Sequence, residues 1–334
     1  MRKVVFITQH VDPEHPALAA TVAKIRALAA RVDQVAVLAD GIVPGVLPGN
    51  CTLHRFGAGT KAGRGARFEA ALAQELRPRP ERVIAHMCPI YAVLAAPLVR
   101  PLGIRLVLWY THWRAGTTLR LAERVSSVVT SVDTRSFPFP SPKVVPIGHG
   151  IDMREFSCTE HPPVDGVVRA VALGRYSPAK GLDTVIRAVA QVEGVRLEVH
   201  GPAGSPLEQE HRVELERLVV ELQAPVLLGE ALPREELPAL FTRSDLLVNN
   251  MRAGASDKVV YEAAASCLPV IASNPIFDEF LDPFPREDVD ELAKRLRAFA
   301  ALPPAERSVI GRALREAVVE RHSVDSWADR ILAA

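Results

Sequence analysis

Short apolar runs alternate with longer amphipathic segments along the chain. The runs in the first part lie at residues 4–8, 35–39, 82–86, 105–110 and 128–132, and helical periodicity appears at 17–31, 90–100 and 117–125. Later runs lie at 168–174, 195–201, 226–229, 245–249 and 269–273, with predicted helices at 182–192, 207–222, 234–242, 257–267 and 288–300. Such alternation is typical of parallel sheets that carry helices on both faces. The pattern predicts an α/β protein with two Rossmann-like domains, each built on a doubly wound parallel sheet.

The stretch 133–165 separates the two series and is rich in Pro, Ser and Gly. It contains one further predicted strand and a glycine turn, IGHGID at 147–152, which we interpret as architectural. We therefore predict an N-terminal domain at 1–150, a C-terminal domain at 151–320 and a final amphipathic helix at 321–334. The length of 334 residues fits two domains of roughly 150 residues each.

Composition narrows the class of protein. Apolar residues make up 48% of the chain, yet no apolar run approaches the roughly 20 residues of a membrane span, and charged Asp12 comes too early for a secretory signal. We therefore expect a cytoplasmic protein. Four scattered cysteines show no CxxC pairing, so the sequence predicts buried thiols rather than a disulfide framework or a zinc site. They are Cys51, Cys88, Cys158 and Cys267.

The net charge of +1 conceals an asymmetry between the two halves. Residues 1–150 hold 19 basic against 9 acidic side chains, and residues 151–334 hold 21 against 30. The basic half could contact an anionic membrane peripherally. Attraction between the two domains explains the asymmetry equally well. Nucleic acid is a poorer fit, because the basic residues are not interleaved with aromatic ones.

The most informative stretch is VALGRYSPAKG at 171–181, where an apolar strand ends at Gly174 and two cations follow, Arg175 and Lys180. Ligands of parallel sheets bind at the carboxyl ends of strands, so cations in this position are typical of a phosphate site. A solvated surface turn is the alternative.

A second loop, AGASDK at 253–258, precedes a predicted helix that carries Glu262. Free N–H groups at a helix N-terminus favour a phosphate. Glu262 stands in the apolar context VVYEAAA, where a buried carboxylate without a partner would be costly; an ordinary carboxylate on a solvated face is the alternative. The binding candidates in the loop are Gly254, Ala255, Ser256, Asp257 and Lys258.

The order Gly-Arg-x4-Lys-Gly, then Asp-Leu-Leu-Val-Asn, then a loop ending in Glu-Ala resembles the carboxyl-terminal domain of family 4 glycosyltransferases of the GT-B fold, within the glycosyl transferases group 1. The resemblance covers nearly the whole chain. It implies two domains that face an interdomain cleft, with the acceptor on the N-terminal side and a nucleoside-diphosphate sugar on the C-terminal side. The final helix would cross back to the first domain.

The resemblance also implies roles for individual residues. Arg175 and Lys180 match the family cations that stabilise the departing diphosphate, and Glu262 matches the glutamate that binds two ribose hydroxyls. The family has another glutamate eight residues earlier, which holds the donor sugar. This chain has Gly254 there, so donor-sugar recognition departs from the family, and Asp257 and Lys258 are the candidates to replace that contact.

The N-terminal half offers fewer signals. His112, in WYTHWR, matches the family histidine beside the donor sugar and the reaction centre; packing between two tryptophans is the alternative. His86 lies at another strand end, where a structural role is an equal alternative. His10 and Asp12, in a first loop without the family's paired glycines, are candidates to bind the acceptor.

These observations predict a retaining glycosyltransferase that moves a hexose to an unidentified hydroxyl acceptor, either a glycan, a lipid or a small molecule. We expect no cofactor and no metal, and we interpret the DxD at Asp288 and Asp290 as the acidic start of a helix. A sugar-nucleotide-binding regulatory or partner subunit without transfer and a GT-B epimerase are the alternatives. A dehydrogenase is disfavoured, because neither first strand leads into GxGxxG.

Overall fold

A computed structural model describes residues 1–15, 18–158 and 166–334. These residues form two compact units. Unit 1 comprises Met1–Asp152 together with Arg321–Ala334, and unit 2 comprises Met153–Glu320. Among the described residues, no helix combines the length and the apolar character needed to cross a lipid bilayer.

Strands and helices alternate through most of the chain. The strands are β1 (Lys3–Val11), β2 (Gln34–Ile42), β3 (Cys51–Arg55), β4 (Arg82–His86), β5 (Arg105–Trp109), β6 (Val128–Ser131), β7 (Val144–Pro146), β8 (Val168–Leu173), β9 (Val195–His200), β10 (Val226–Gly229), β11 (Leu246–Asn249) and β12 (Val270–Ala272). The helices are α1 (Ala20–Ala29), α2 (Lys61–Glu75), α3 (Pro89–Val99), α4 (Thr117–Val125), α5 (Leu182–Val189), α6 (Pro206–Leu222), α7 (Leu237–Arg243), α8 (Lys258–Ala265), α9 (Val289–Ala301), α10 (Pro304–His322) and α11 (Val324–Ala333).

Unit 1 is built on a seven-stranded sheet in the order β3-β2-β1-β4-β5-β6-β7. Every strand pair in it is parallel. Alternate residues of β1 enter different parts of the core, as expected for a strand covered on both faces. Val5 and Ile7 belong to the apolar cluster that includes Phe68 of α2, whereas Phe6 packs its ring 5.3 Å from His86.

Unit 2 is built on a five-stranded sheet in the order β10-β9-β8-β11-β12, again with parallel pairing throughout. Its central strand, β8, is therefore flanked by β9 and β11. Carboxyl ends of neighbouring parallel strands meet at one edge of the sheet, and the chain order reverses beside β8. The prediction of two parallel-sheet α/β domains is confirmed.

The glycine turn at 147–152 packs against the chain that leads into α11. Gly148 has φ +79°, and a Cβ at this position would collide with the carbonyl oxygen of Arg321. Ile151 donates its backbone N–H to the His322 carbonyl at 2.8 Å, and the Val324 N–H donates to the Ile151 carbonyl at 2.7 Å.

Asp288 caps α9, with its side chain accepting from the Glu291 N–H at 2.9 Å, so the helix-start interpretation of the DxD is confirmed.

The expectation of four separate thiols is wrong for one pair. Cys158 and Cys267 form a disulfide within unit 2, with Cα atoms 4.9 Å apart and 109 residues between them in sequence. The pairing arises because the chain after Ile151 passes beside the C-terminal end of α8, where Cys267 lies. Cys51 and Cys88 are free.

Candidate functional site

The loop after β8 holds Lys180 firmly at the carboxyl end of that strand. The Lys180 ammonium donates to the Leu173 carbonyl at 3.0 Å and to Asp257 Oδ2 at 2.5 Å. Gly174 has φ +133°, and a Cβ there would overlap the Lys180 side chain. The lysine side chain is only 14% exposed. The glycine is therefore what allows the lysine to lie across the strand end.

Asp257 connects this lysine to the next strand and to α8. It is the N-cap residue of α8, and its Oδ2 atom also accepts from Asn249 Nδ2 at 2.8 Å, at the end of β11. Lys180 and Asp257 come from two loops that are far apart in the sequence. The structure brings them into one ion pair at the edge of the unit 2 sheet.

Arg175 occupies a more open position than Lys180. Its side chain is 70% exposed, and its Nη1 atom lies 3.5 Å from Glu208 Oε1. Glu208 in turn accepts from the backbone N–H groups of Gly204 and Ser205, at the start of α6. Arg175 is thus mostly exposed and makes one long ion-pair contact, whereas Lys180 is mostly buried and makes two shorter contacts.

Glu262, on the second turn of α8, is 2% exposed and sits between two cations. Its Oε1 atom accepts from Arg234 Nη1 at 2.7 Å and lies 3.2 Å from Lys258 Nζ. Arg234 also donates to Glu155 Oε2 at 2.6 Å. Arg234 is not predictable as a site residue, because in LPREEL it is indistinguishable from a surface arginine at a helix start.

The rest of the 253–258 loop is fixed by local contacts. Asn274 Nδ2 donates to the Ala255 carbonyl at 2.7 Å, and Ser256 Oγ lies 3.0 Å from the hydroxyl of Tyr261. Gly254 brings no side chain to the loop.

Three candidates of unit 1 lie in two places: His10 and Asp12 at the end of β1 and just after it, and His112 in the loop that follows β5. His112 Nδ1 accepts from the Arg114 N–H at 3.0 Å, and its ring stacks on Trp113 with centroids 5.3 Å apart. His10 stacks on His15 at 5.0 Å, and Asp12 Oδ1 accepts from the Glu14 N–H at 2.9 Å. Each of these side chains helps to order its own loop.

His86 lies in the interior of unit 1 and is 4% exposed. Its Nε2 atom is 3.4 Å from Lys24 Nζ, and its ring stacks on that of Trp109 at 6.3 Å. Burial, and then the positive charge of Lys24, lower the pKa of His86 well below its usual value, so the imidazole is neutral. This environment favours the structural role over contact with an acceptor.

Within residues 1–15, 18–158 and 166–334, no three His, Cys, Asp or Glu side chains are grouped so as to hold a metal ion.

Comparison with known proteins gives one family match and several curated relatives. Residues 159–316 match the family described as Glycosyl transferases group 1. The chain is 33% identical over 172 residues to D-inositol 3-phosphate glycosyltransferase from Mycobacterium tuberculosis and from Mycobacterium bovis. This match covers 51% of the chain and 29% of each relative, so the chain spans less than a third of the length of these relatives.

Solved structures resemble the chain over its whole length. Anabaena HepE in complex with UDP and glucose has a TM-score of 0.75 at 19% identity, covering 100% of this chain and 99% of that one. A glycosyltransferase from Rickettsia africae has 0.76 at 12% identity, covering 99% and 97%. Sucrose-phosphate synthase from Thermosynechococcus elongatus has 0.74 at 16%, covering 99% and 97%. The chain therefore has the GT-B fold, and its residues 159–316 match the group 1 glycosyl transferases.

Proposed function

We propose that the protein is a retaining, metal-independent glycosyltransferase of family 4. It would move a hexose from a nucleoside-diphosphate sugar to a hydroxyl of a glycan, a lipid or a small molecule. One observation carries the proposal: Lys180 is fixed at the carboxyl end of the central strand β8 and joined to the first turn of α8 through Asp257. This arrangement lies within the segment that matches the group 1 glycosyl transferases.

The two cations suit a departing diphosphate. Bond cleavage places negative charge on the leaving oxygen, and fixed positive groups lower the energy of that state. Lys180 is held in advance, and its three donors allow it to contact Asp257 and a phosphate oxygen together. Arg175, being exposed, can swing onto the same diphosphate. A diphosphate oxygen would assist deprotonation of the acceptor, so the scheme needs no protein base.

The nucleoside would be held by Glu262 through its ribose hydroxyls. HepE was solved with UDP-glucose, and a trehalose-6-phosphate protein from E. coli was solved with UDP-2-fluoro glucose. We therefore propose UDP-glucose as the first donor to test. Asp257 and Lys258 are both engaged in ion pairs, so either would have to share its contact to hold a sugar hydroxyl in place of the glutamate absent at position 254.

We propose that unit 1 binds the acceptor, with His10 and Asp12 as its candidate contacts, and that His112 keeps the role beside the donor sugar that the family resemblance implies. Residues 1–150 hold 19 basic against 9 acidic side chains, and the curated relatives are named for a phosphorylated acceptor. We propose that this unit attracts an anionic partner, either a phosphorylated acceptor or the headgroups of an acidic membrane.

A second candidate function is a sugar-nucleotide-binding subunit without transfer. Gly254 favours it, because this position has no side chain to hold the donor sugar. The two candidates make the same prediction for nucleotide binding and opposite ones for turnover.

The experiment combines a thermal-shift screen of UDP-, GDP- and ADP-sugars with an assay of nucleoside diphosphate release, using inositol phosphates and sugar phosphates as acceptors. A donor at 100 times its dissociation constant stabilises the folded protein by roughly 2.7 kcal/mol. The proposal requires one donor to stabilise the protein and to be consumed, and consumption to be lost in Lys180→Ala. Stabilisation without release would support the binding subunit, and no stabilisation by any donor would refute both.

A further inference from the structure

Arg234 links two carboxylates that are far apart in sequence. One arm of its guanidinium donates to Glu262 at 2.7 Å and the other to Glu155 at 2.6 Å. The group also lies over the Phe156 ring, 5.7 Å from its centroid. Its side chain is 19% exposed. A guanidinium offers its donors in a rigid fork, so two anchors fix both its position and its orientation.

Charge balance explains why Glu262 tolerates burial. Two carboxylates, Glu262 and Glu155, are matched by two cations, Arg234 and Lys258. Burial lowers the pKa of Arg234, but the attraction of Glu262 and then of Glu155 outweighs it and raises that pKa overall. Arg234 therefore stays charged.

Both cations contact the same oxygen of Glu262. Arg234 and Lys258 are bound to Oε1, on one side of the carboxylate. A carboxylate has about four acceptor positions, two on each oxygen. Because Arg234 holds Oε1, it fixes the orientation of the Glu262 carboxylate and therefore the position of the other oxygen, Oε2.

Glu155 belongs to a segment that is itself anchored to α8. Arg315 of α10 donates from Nη1 to the Phe156 carbonyl at 2.7 Å and also to the carbonyl of Ala265 in α8. Cys158 is joined to Cys267 just beyond the end of α8. The second anchor of Arg234 is therefore tied to the helix that carries Glu262. This makes the relative position of the three charged groups a fixed property of unit 2.

We propose that Arg234 is a positioning residue for nucleotide selectivity: held by Glu155, it orients Glu262 so that Oε2 accepts the ribose hydroxyls, and it thereby sets the preference for ribonucleotides over deoxyribonucleotides. The inference rests on the proposed donor site. It adds a residue that acts through Glu262 and does not itself contact the reacting atoms.

The test compares the dissociation constants of UDP, GDP and ADP with those of their 2′-deoxy forms by calorimetry on the full chain. For the diphosphate that binds, we expect the unmodified protein to prefer the ribose form by about 10- to 100-fold, the range of a hydrogen bond to a charged group. In Arg234→Ala the preference should fall below about 3-fold. In Glu155→Gln, which removes only the second anchor, it should fall part of the way, and Arg234→Lys should restore it only in part.

Arg243→Ala is the matched control, because Arg243 lies on neighbouring α7, is 54% exposed and pairs with Glu198. It should keep the full preference. A merely structural role of Arg234 would weaken both forms of the nucleotide equally and leave their ratio unchanged. If Arg234→Ala does not fold, Glu155→Gln and Arg234→Lys still test the inference, because each keeps a polar or charged group in place. An unchanged ratio of ribose to deoxyribose binding in both of these variants would overturn the inference. Tighter ribonucleotide binding in Arg234→Ala would also overturn it, since Arg234 would then compete with the ribose.

If the unmodified protein binds none of the diphosphates, the proposed function fails and the inference fails with it. If it binds one and prefers the ribose form, while the variants keep that preference, only the inference fails.

Discussion

Removal of the Cys158–Cys267 disulfide should destabilise unit 2 strongly. The two cysteines are 109 residues apart, so the crosslink closes a long loop in the unfolded chain. In the chain-entropy description, a loop of about 100 residues corresponds to about 4.7 kcal/mol at 25 °C. For a domain of about 150–250 residues, 1 kcal/mol changes Tm by about 2–4 °C, so the expected loss is roughly 10–20 °C.

The perturbation is Cys158→Ser, compared with the unmodified protein in the presence and absence of a dithiol reductant. Cys158 is the better site because Cys267 adopts φ +59° at the end of α8, where a substitution would add a backbone effect. Far-UV circular dichroism follows the helices of both units. Tryptophan fluorescence follows unit 1 alone, because Trp109, Trp113 and Trp327 all lie there.

Three outcomes are expected together. Denatured, non-reduced protein should have two reactive thiols, and reduction should raise this number to four. Reductant should lower the Tm of the unmodified protein and of Cys51→Ser, a control at a free cysteine, but not that of Cys158→Ser. Four reactive thiols before reduction, or equal Tm values with and without reductant, would refute the argument.

Lys180→Ala should lower turnover by roughly 100- to 1000-fold, the loss typical of one preorganised donor, whereas exposed Arg175 should contribute less; steady-state kinetics with a verified donor will rank them. Gly311→Ala should cost about 1–3 kcal/mol in urea unfolding, because its Cβ would collide with the Cys267 carbonyl, while Gly65→Ala, with open space around it in α2, should be neutral or stabilising. Acidic vesicles should capture the protein at low salt and release it at high salt if unit 1 contacts anionic lipid; equal partitioning onto neutral vesicles would contradict membrane contact.

The parallel sheets could be predicted from the sequence because their central strands are continuous apolar runs. The edge strand β3 could not, since CTLHR is short and none of its residues is fully buried. Its following helix α2 carries Gly63 and Gly65, which lower helix propensity and conceal the period. Helix α10 was missed in the same way, as the chain after α9 lacks a clear apolar stripe.

The candidate site, like the fold, could be predicted from the sequence only where its residues lie close together in the chain. The Gly174 and Lys180 pair is visible locally, because the strand end, the glycine and the cation all fall within one loop. Arg234 is 28 residues from Glu262 and 79 from Glu155, so its contacts depend on the fold and not on any local pattern. The disulfide is of the same kind, since spacing alone does not determine cysteine pairing.

The pairing of the 148–151 turn with the chain before α11 gives the molecule the topology of a domain insertion. Unit 2 enters after Asp152 and returns at Arg321, and Ile151 and Ser323 form a parallel bridge where the two ends meet. Insertions whose ends lie side by side can often be excised or permuted without disturbing the host. A short linker in place of residues 153–320 should therefore leave unit 1 topologically complete, with α11 still able to pack on α1. Unit 2 would then be separable as a continuous segment, whereas unit 1 can be made only by rejoining its two parts.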